Sequence, residues 1–195
     1  MNVDNSVFRW MQDPLNELTL ILMRGVPASG KSWRAKELSG GDDSVIFSAD
    51  HFFGATKEEY VANWSKDKLF KAHSWNQRRV REMMQRQRPL VIVDNTNTRI
   101  AEMMPYFDMA VQYQYKVRVE EPTSPWWVND IAPLLLNKQA NRKELEAAAR
   151  MLYEKNQDTH CVPYENILKM LNRFQPMVMF ADLCRSYHPV PQPQS

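Results

Sequence analysis

The run Leu18-Thr-Leu-Ile-Leu-Met-Arg-Gly-Val-Pro-Ala-Ser-Gly-Lys-Ser32 carries a strand, a loop and the start of a helix in immediate succession. Leu18 to Met23 is short, nearly all apolar and partly β-branched. That pattern suits a strand buried on both faces of a parallel sheet. Gly25-Val-Pro-Ala-Ser-Gly-Lys-Ser32 fits the spacing GxxxxGK[ST] in full. Lys31 to Leu38 then continues as a helix, stopped by Gly40-Gly41. Strand, glycine loop and helix in this order build an anion cradle. Glycines at 25 and 30 let backbone N–H groups turn inward, and the helix N-terminus adds its dipole. The spacing therefore predicts a nucleoside triphosphate held by Gly25, Ala28, Ser29, Gly30, Lys31, Ser32 and Trp33. Lys31 is expected on the β- and γ-phosphates, and the Ser32 hydroxyl on Mg²⁺.

Working outward, three further apolar runs predict strands: Ser44–Ser48, Leu90–Asp94 and Tyr115–Val119. Met177–Phe180 is a fifth candidate. A helix is expected over Lys66–Arg88, another after Thr98 that restarts at Pro105, and mostly helix over 126–174 with breaks at Pro133 and at His160–Pro163. Strands alternating with helices predict an α/β fold, a parallel sheet flanked by helices. Right-handed crossovers put the C-terminal strand ends, and so the site, on one edge. Residues 1–17 form an N-terminal arm, 18–182 the domain, and 183–195 a Pro-rich tail or linker.

Composition narrows the class. The chain has 195 residues, 44% hydrophobic and 25% charged, which suits one globular domain and excludes disorder throughout. A net charge of +2 excludes a polycation. Two cysteines are too few for a disulfide scaffold or a four-cysteine zinc site. The four histidines lack metal-binding spacing. Charges and Pro14 interrupt the first twenty residues, and no run approaches the roughly 20 apolar residues of a membrane helix. The expected location is cytoplasmic or nuclear.

Asp50 ends the second strand in Ser48-Ala-Asp50, on the edge facing the phosphate loop. A carboxylate there can take a proton from an attacking hydroxyl, or it can cap the turn or the next helix. Asp94, Asn95, Thr96 and Asn97 end the third strand on the same edge, offering acceptor or Mg²⁺-shell contacts or helix caps. From Lys66 to Arg88 eight basic residues, Arg78 among them, face only Asp67 and Glu82. That stripe suits either a polyanion or a solvated helix face. Trp75, Trp126 and Trp127 are expected to pack.

The phosphate loop, Ser48-Ala-Asp50 and Val93-Asp-Asn-Thr-Asn97 together resemble the polynucleotide-kinase-like branch of P-loop kinases. Ala72-His-Ser-Trp-Asn-Gln77 and Glu102-Met-Met-Pro-Tyr106 resemble the kinase-like domain of the Nedd-binding-protein group. Gln12-Asp-Pro14, Met109-Ala-Val-Gln-Tyr-Gln-Tyr115, Glu121-Pro-Thr-Ser-Pro-Trp126 and Glu154-Lys-Asn-Gln157 resemble the N-terminal domain of animal 2′,3′-cyclic-nucleotide 3′-phosphodiesterases. The resemblance implies a P-loop kinase fold with a helical lid. It also implies ATP or GTP with Mg²⁺, and transfer of the γ-phosphate to the 5′-hydroxyl of RNA or DNA, as in RNA processing or repair. By position, Lys31 and Ser32 match the loop pair, Asp50 the general base, and Asp94 and Asn97 the acceptor-side motif. Lys155 stands where the family's lid carries arginine, with Arg142 or Arg150 as substitutes. Phe53 replaces an arginine three residues past the family's base, which removes that acceptor-phosphate contact or moves it to another residue. The phosphodiesterase activity of the longer family members sits in a C-terminal domain with two His-x-Thr/Ser motifs, absent here. In a longer parent chain that domain, or another, would follow the Pro-rich tail. Two rival readings stand beside the kinase: a nucleotide-binding module that recruits partners or regulates a neighbouring domain, and a small-molecule kinase acting on nucleosides.

Overall fold

The computed structural model of the chain describes residues 18–137, 140–157 and 161–177. The N-terminal arm, the tail and all but the first residue of the Met177–Phe180 run lie outside them. Strand β1, Thr19–Met23, runs through the middle of a four-stranded sheet. Leu20 to Met23 are 0–2% exposed, and each such burial contributes about 2 kcal/mol. Gly30, in the left-handed region at φ 89°, opens helix α1, Lys31–Leu38. Strand β2 is only Ile46–Phe47, because Asp42 caps a 3₁₀ turn over Asp43–Val45 and shortens the expected run. A second 3₁₀ turn, Ala49–Phe52, follows. Helix α2, Lys57–Asn63, starts on a Thr56/Glu59 capping box.

The basic stretch divides into a 3₁₀ turn at Lys66–Lys68 and helix α3, Leu69–Gln85. Its buried face is Ala72, Asn76, Val80 and Met84. Strand β3 is Leu90–Val93. Helix α4, Ile100–Tyr113, passes through Pro105 without restarting. The missing N–H frees the Ala101 carbonyl, and Ala101 is exposed to water. Burial of Met103, Tyr106, Phe107, Met109 and Ala110 on the other face outweighs that loss. Strand β4, Lys116–Glu120, leads to a π-helical turn at Trp127–Ile131. Helices α5, Ala132–Leu136, α6, Arg142–Lys155, and α7, Tyr164–Asn172, complete the described chain. Pro133 follows closely on the π-helical turn, inside a helical run that continues to Leu136. The expected break comes after it, at Asn137.

The strand order is β2-β3-β1-β4 and every pairing is parallel. In register, Leu22 faces Val93 on one side and Val119 on the other, so the C-terminal ends align. One face of the sheet packs α1 through Ile21, Met23, Ala35, Ile46 and Ile92. The other packs α3 and α4 through Leu20, Leu22, Phe47, Val80, Val91 and Phe107. A separate apolar cluster joins Val26 of the phosphate loop to Trp127, Ile131, Leu152 and Ile167. Among the described residues no helix is long and apolar enough to cross a membrane.

A buried polar triad ties these layers together beneath the sheet edge. The Tyr106 hydroxyl accepts from Asn76 Nδ2 and Asn95 Nδ2, both at 3.1 Å. The Asn95 Oδ1 accepts from Ala49 N at 3.0 Å. Tyr106→Phe takes the acceptor at 3.1 Å from two buried amides, and Asn76 keeps only the Phe47 carbonyl at 3.5 Å. The expected loss is about 2 kcal/mol, read as a lower urea midpoint at unchanged slope. A wild-type midpoint would show that water replaces the hydroxyl.

Candidate active site

The phosphate loop hangs between β1 and α1 and is fixed from outside. Gly25 N donates to the Thr96 carbonyl at 3.0 Å. Ser124 Oγ donates to the Ser29 carbonyl at 2.7 Å, and Trp126 Nε1 to the Ala28 carbonyl at 3.0 Å. Gly25 has φ 151°, and a Cβ there would lie 2.6 Å from Ser29 Oγ and 2.9 Å from Pro122. No larger residue fits. At the N-terminus of α1, Gly30 brings no capping side chain, and the first turn holds no acid. Its first N–H groups therefore stay available to an anion.

Lys31 Nζ lies 2.9 Å from Asp94 Oδ1, with 11% and 8% of the two side chains exposed. The same ammonium stands 3.5 Å from Ser32 Oγ. Asp50 projects into a cavity of about 440 Å³, whose wall includes Ser32, Asp94, Ser48, Lys57 and Tyr60. The 3₁₀ turn is capped by the Ser48 hydroxyl, which accepts from Asp50 N at 3.2 Å. The Asp50 carboxylate is thus spared the capping task. It takes a hydrogen bond from the Tyr60 hydroxyl, and burial together with that negative charge pushes the phenol well above its ordinary pKa. Ser32 and Asp94 line the same cavity and are the oxygen donors that would hold the magnesium of a nucleotide complex there. The open helix terminus beside them suits its phosphates.

Other predicted residues take different places. Asn95 is buried, its amide spent on Ala49 and Tyr106. Asn97, at φ 44°, is 2% exposed and donates to the Met23 carbonyl at 2.7 Å. The Asn95 side chain ties the turn at Ala49 to α4, and that of Asn97 ties the turn after β3 to the end of β1. Thr96 contributes its backbone carbonyl. Trp33 is 60% exposed on the outside of α1. Arg78 is exposed on α3 and lies off the cavity wall. Arg79 beside it is half-buried, stacked 4.3 Å from the Trp75 ring and 5.1 Å from Phe47, so the basic stripe is not one solvated face. Lys155 Nζ sits 4.3 Å over the Trp126 ring, and Trp126 binds the loop at Ala28. Phe53 is 1% exposed, packed against Tyr60 and Phe52. It cannot touch a ligand.

Tyr60 and Lys57 were not foreseen. The signal was a Thr56-x-x-Glu59 box opening a helix just past Asp50. Arg24 was also missed. It is fully buried, its Nε donating to the Asn97 carbonyl at 3.0 Å and its Nη2 to the Gln175 carbonyl at 2.6 Å.

A parallel α/β sheet with a phosphate loop at the end of its central strand and an open helix N-terminus above it defines a nucleotide-binding domain. The family model described as an AAA domain matches residues 20–177, and the chain belongs to that family. Among similar proteins is human NEDD4-binding protein 2, 33% identical over 162 residues, covering 83% of this chain and 8% of that protein. A 2′,3′-cyclic-nucleotide 3′-phosphodiesterase of Pongo abelii is 32% identical over 116 residues, 55% of this chain and 25% of its own length. The Mus musculus protein of that name is 29% identical over 131 residues, 66% of this chain and 29% of its own. The chain spans less than a third of each of these relatives.

Lys31→Ala leaves the Asp94 carboxylate buried without its counter-charge. Breaking such a pair costs about 3–5 kcal/mol in a closed interior. Because Asp94 borders an open cavity, about 2 kcal/mol is expected. Lys31→Ala/Asp94→Ala should recover at least half of it. A double-mutant cycle in urea measures this, and simple additivity would show the pair uncoupled.

Proposed function

We propose that this domain is a P-loop kinase that transfers the γ-phosphate of ATP or GTP, with Mg²⁺, to the 5′-hydroxyl of RNA or DNA. The observation that carries the reading is the shared cavity. Asp50, which accepts from the Tyr60 hydroxyl, lines it together with Ser32 of the phosphate loop and Asp94. A hydrolase would need only to hold a water there. A half-buried carboxylate in a cavity of this size leaves room for a larger acceptor.

In this mechanism the loop N–H groups and Lys31 hold the β- and γ-phosphates. Lys31 exchanges Asp94 for phosphate oxygens. Bound at Ser32 with Asp94 nearby, Mg²⁺ would supply charge neutralisation. Asp50 accepts the proton of the attacking hydroxyl as the new O–P bond forms. The bond between the γ-phosphorus and the β–γ bridging oxygen breaks, and the nucleoside diphosphate leaves. Helices α5 to α7 act as a lid, with Lys155 stacked on Trp126 and so tied to the loop at Ala28. A second reading, a nucleotide-binding module with little transfer, is favoured by the burial of Phe53 and by a lysine in the lid, which lacks the bidentate fork of arginine.

Asp50→Asn separates them. It keeps the size of the side chain but cannot take the proton. Transfer from labelled ATP to a short 5′-hydroxyl RNA should fall roughly 10²–10⁴-fold. Nucleotide affinity by calorimetry should stay near wild type. Wild-type protein that binds ATP yet transfers to no RNA, DNA or nucleoside would establish the binding module.

A further inference from the structure

Tyr60 carries the one polar atom of a side-chain cluster that is otherwise apolar. Its ring packs with Ala49, Phe53 and Ala72 and meets Phe53 edge-on, with the centroids 5.6 Å apart. Phe53, 1% exposed, closes the 3₁₀ turn that bears Asp50, its N–H donating to the Asp50 carbonyl at 3.0 Å. Asn63, at the far end of α2, donates to the Phe53 carbonyl at 2.9 Å. The turn with the carboxylate and the helix with the phenol are thus fastened to each other by backbone and ring contacts. A phenylalanine at position 60 would meet all of them. What the hydroxyl adds is its donation to Asp50 at the cavity wall. Burial, and then the negative charge of Asp50, push the phenol upward, so Tyr60 keeps its proton and acts as a donor alone.

We infer that Tyr60 is a positioning residue for phosphoryl transfer: its hydroxyl holds the Asp50 carboxylate turned toward the attacking hydroxyl. The inference rests on the transfer reading, in which Asp50 takes the proton. It adds the group that keeps the base aimed. An aspartate side chain has several staggered settings, and Lys57 on the same wall offers its carboxylate a competing partner. A carboxylate paired with an ammonium is a poorer proton acceptor. Anchored on a rigid ring, the Tyr60 hydroxyl occupies one side of the carboxylate and limits that rotation. In the transfer the acceptor's proton goes to Asp50 as the new O–P bond forms, and the phenol's own proton stays on Tyr60. Tyr60 acts through Asp50 and needs no contact with either substrate.

Wild type, Tyr60→Phe, Asp50→Asn and the double variant are compared by transfer from labelled ATP to a short 5′-hydroxyl RNA. Calorimetry with a non-hydrolysable ATP analogue and a urea midpoint report the state of the fold. Tyr60→Phe should lower kcat roughly 10–10²-fold, the cost of a misaimed group. KM for the RNA and affinity for the analogue should stay within about twofold of wild type. In the Asp50→Asn background the hydroxyl has no base left to aim, so the double variant should be as fast as Asp50→Asn alone. Losses that multiply would make the effect of the hydroxyl independent of Asp50 and overturn the inference. A loss seen only in KM, in nucleotide affinity or in the urea midpoint would overturn it too, since those report binding or packing. An active wild type with an equally active Tyr60→Phe overturns the inference alone. Wild type that transfers to no RNA, DNA or nucleoside overturns the kinase reading and the inference with it.

Discussion

Arg24 leaves the end of β1 and its guanidinium meets no water. Placing an unpaired charge at that depth costs several kcal/mol, so its donors dictate what must surround it. Nε takes the Asn97 carbonyl and Nη2 the Gln175 carbonyl. Nη1 lies 3.5 Å from Glu121, an ion pair too long and poorly aligned to be a hydrogen bond. The Phe174 ring covers the guanidinium at 4.5 Å. Burial pulls the Arg24 pKa down while Glu121 and Glu102 oppose it. The same burial pushes Glu121 upward against Arg24 and the Trp127 N–H. Four chain segments therefore converge one residue before Gly25: the ends of β1 and β4, the turn after β3, and the segment after α7. The phosphate loop is presented from that joint.

The joint explains which expectations survived contact with the fold. Local signals were legible where one segment alone decided its state. The Lys31–Leu38 helix and its Gly40 stop appear as expected, because an uncapped glycine start and a two-glycine stop are backbone facts. β1, β3 and β4 appear within a residue of their apolar runs. The shift of β4 from Tyr115 to Lys116 has a cause: Tyr115 N closes the α4 end on the Ala110 carbonyl, and its hydroxyl reaches the Arg88 carbonyl at 2.6 Å. The second strand was overread because Asp42 claims Ser44 for a turn. Pro105 was overread as a break because its helix has a deeply buried face that periodicity alone does not weigh.

Side-chain roles were less legible, since they depend on contacts between distant segments. Asp94-Asn-Thr-Asn97 is a row of polar residues on the correct edge. Alternate members turn opposite ways, Asp94 to Lys31 and the cavity, Asn95 and Asn97 into the protein. Sequence spacing cannot separate a polar group that meets a ligand from one that satisfies a buried carbonyl. Tyr60 shows the reverse case: an aromatic in an exposed-looking helix whose hydroxyl is the partner of Asp50.

The end of α6 reaches the phosphate loop by way of two adjacent tryptophans. Trp126 bonds the loop through its indole edge and carries Lys155 on its face. Trp127 packs inward beside it on Phe174, which in turn covers Arg24. Two adjacent indoles thus reach the phosphate loop at two points, one at Ala28 in its middle and one through the residue before Gly25. A displacement of α6 that moves Lys155 must carry Trp126 or break its stack, worth about 1 kcal/mol at a partly exposed site. That is small beside the binding of a triphosphate. The buried Trp127–Phe174–Arg24 stack cannot yield without exposing the guanidinium. The Trp127 contact is therefore the firmer of the two and the Lys155 contact the softer, so the root of the loop is held more tightly than its link to the end of α6.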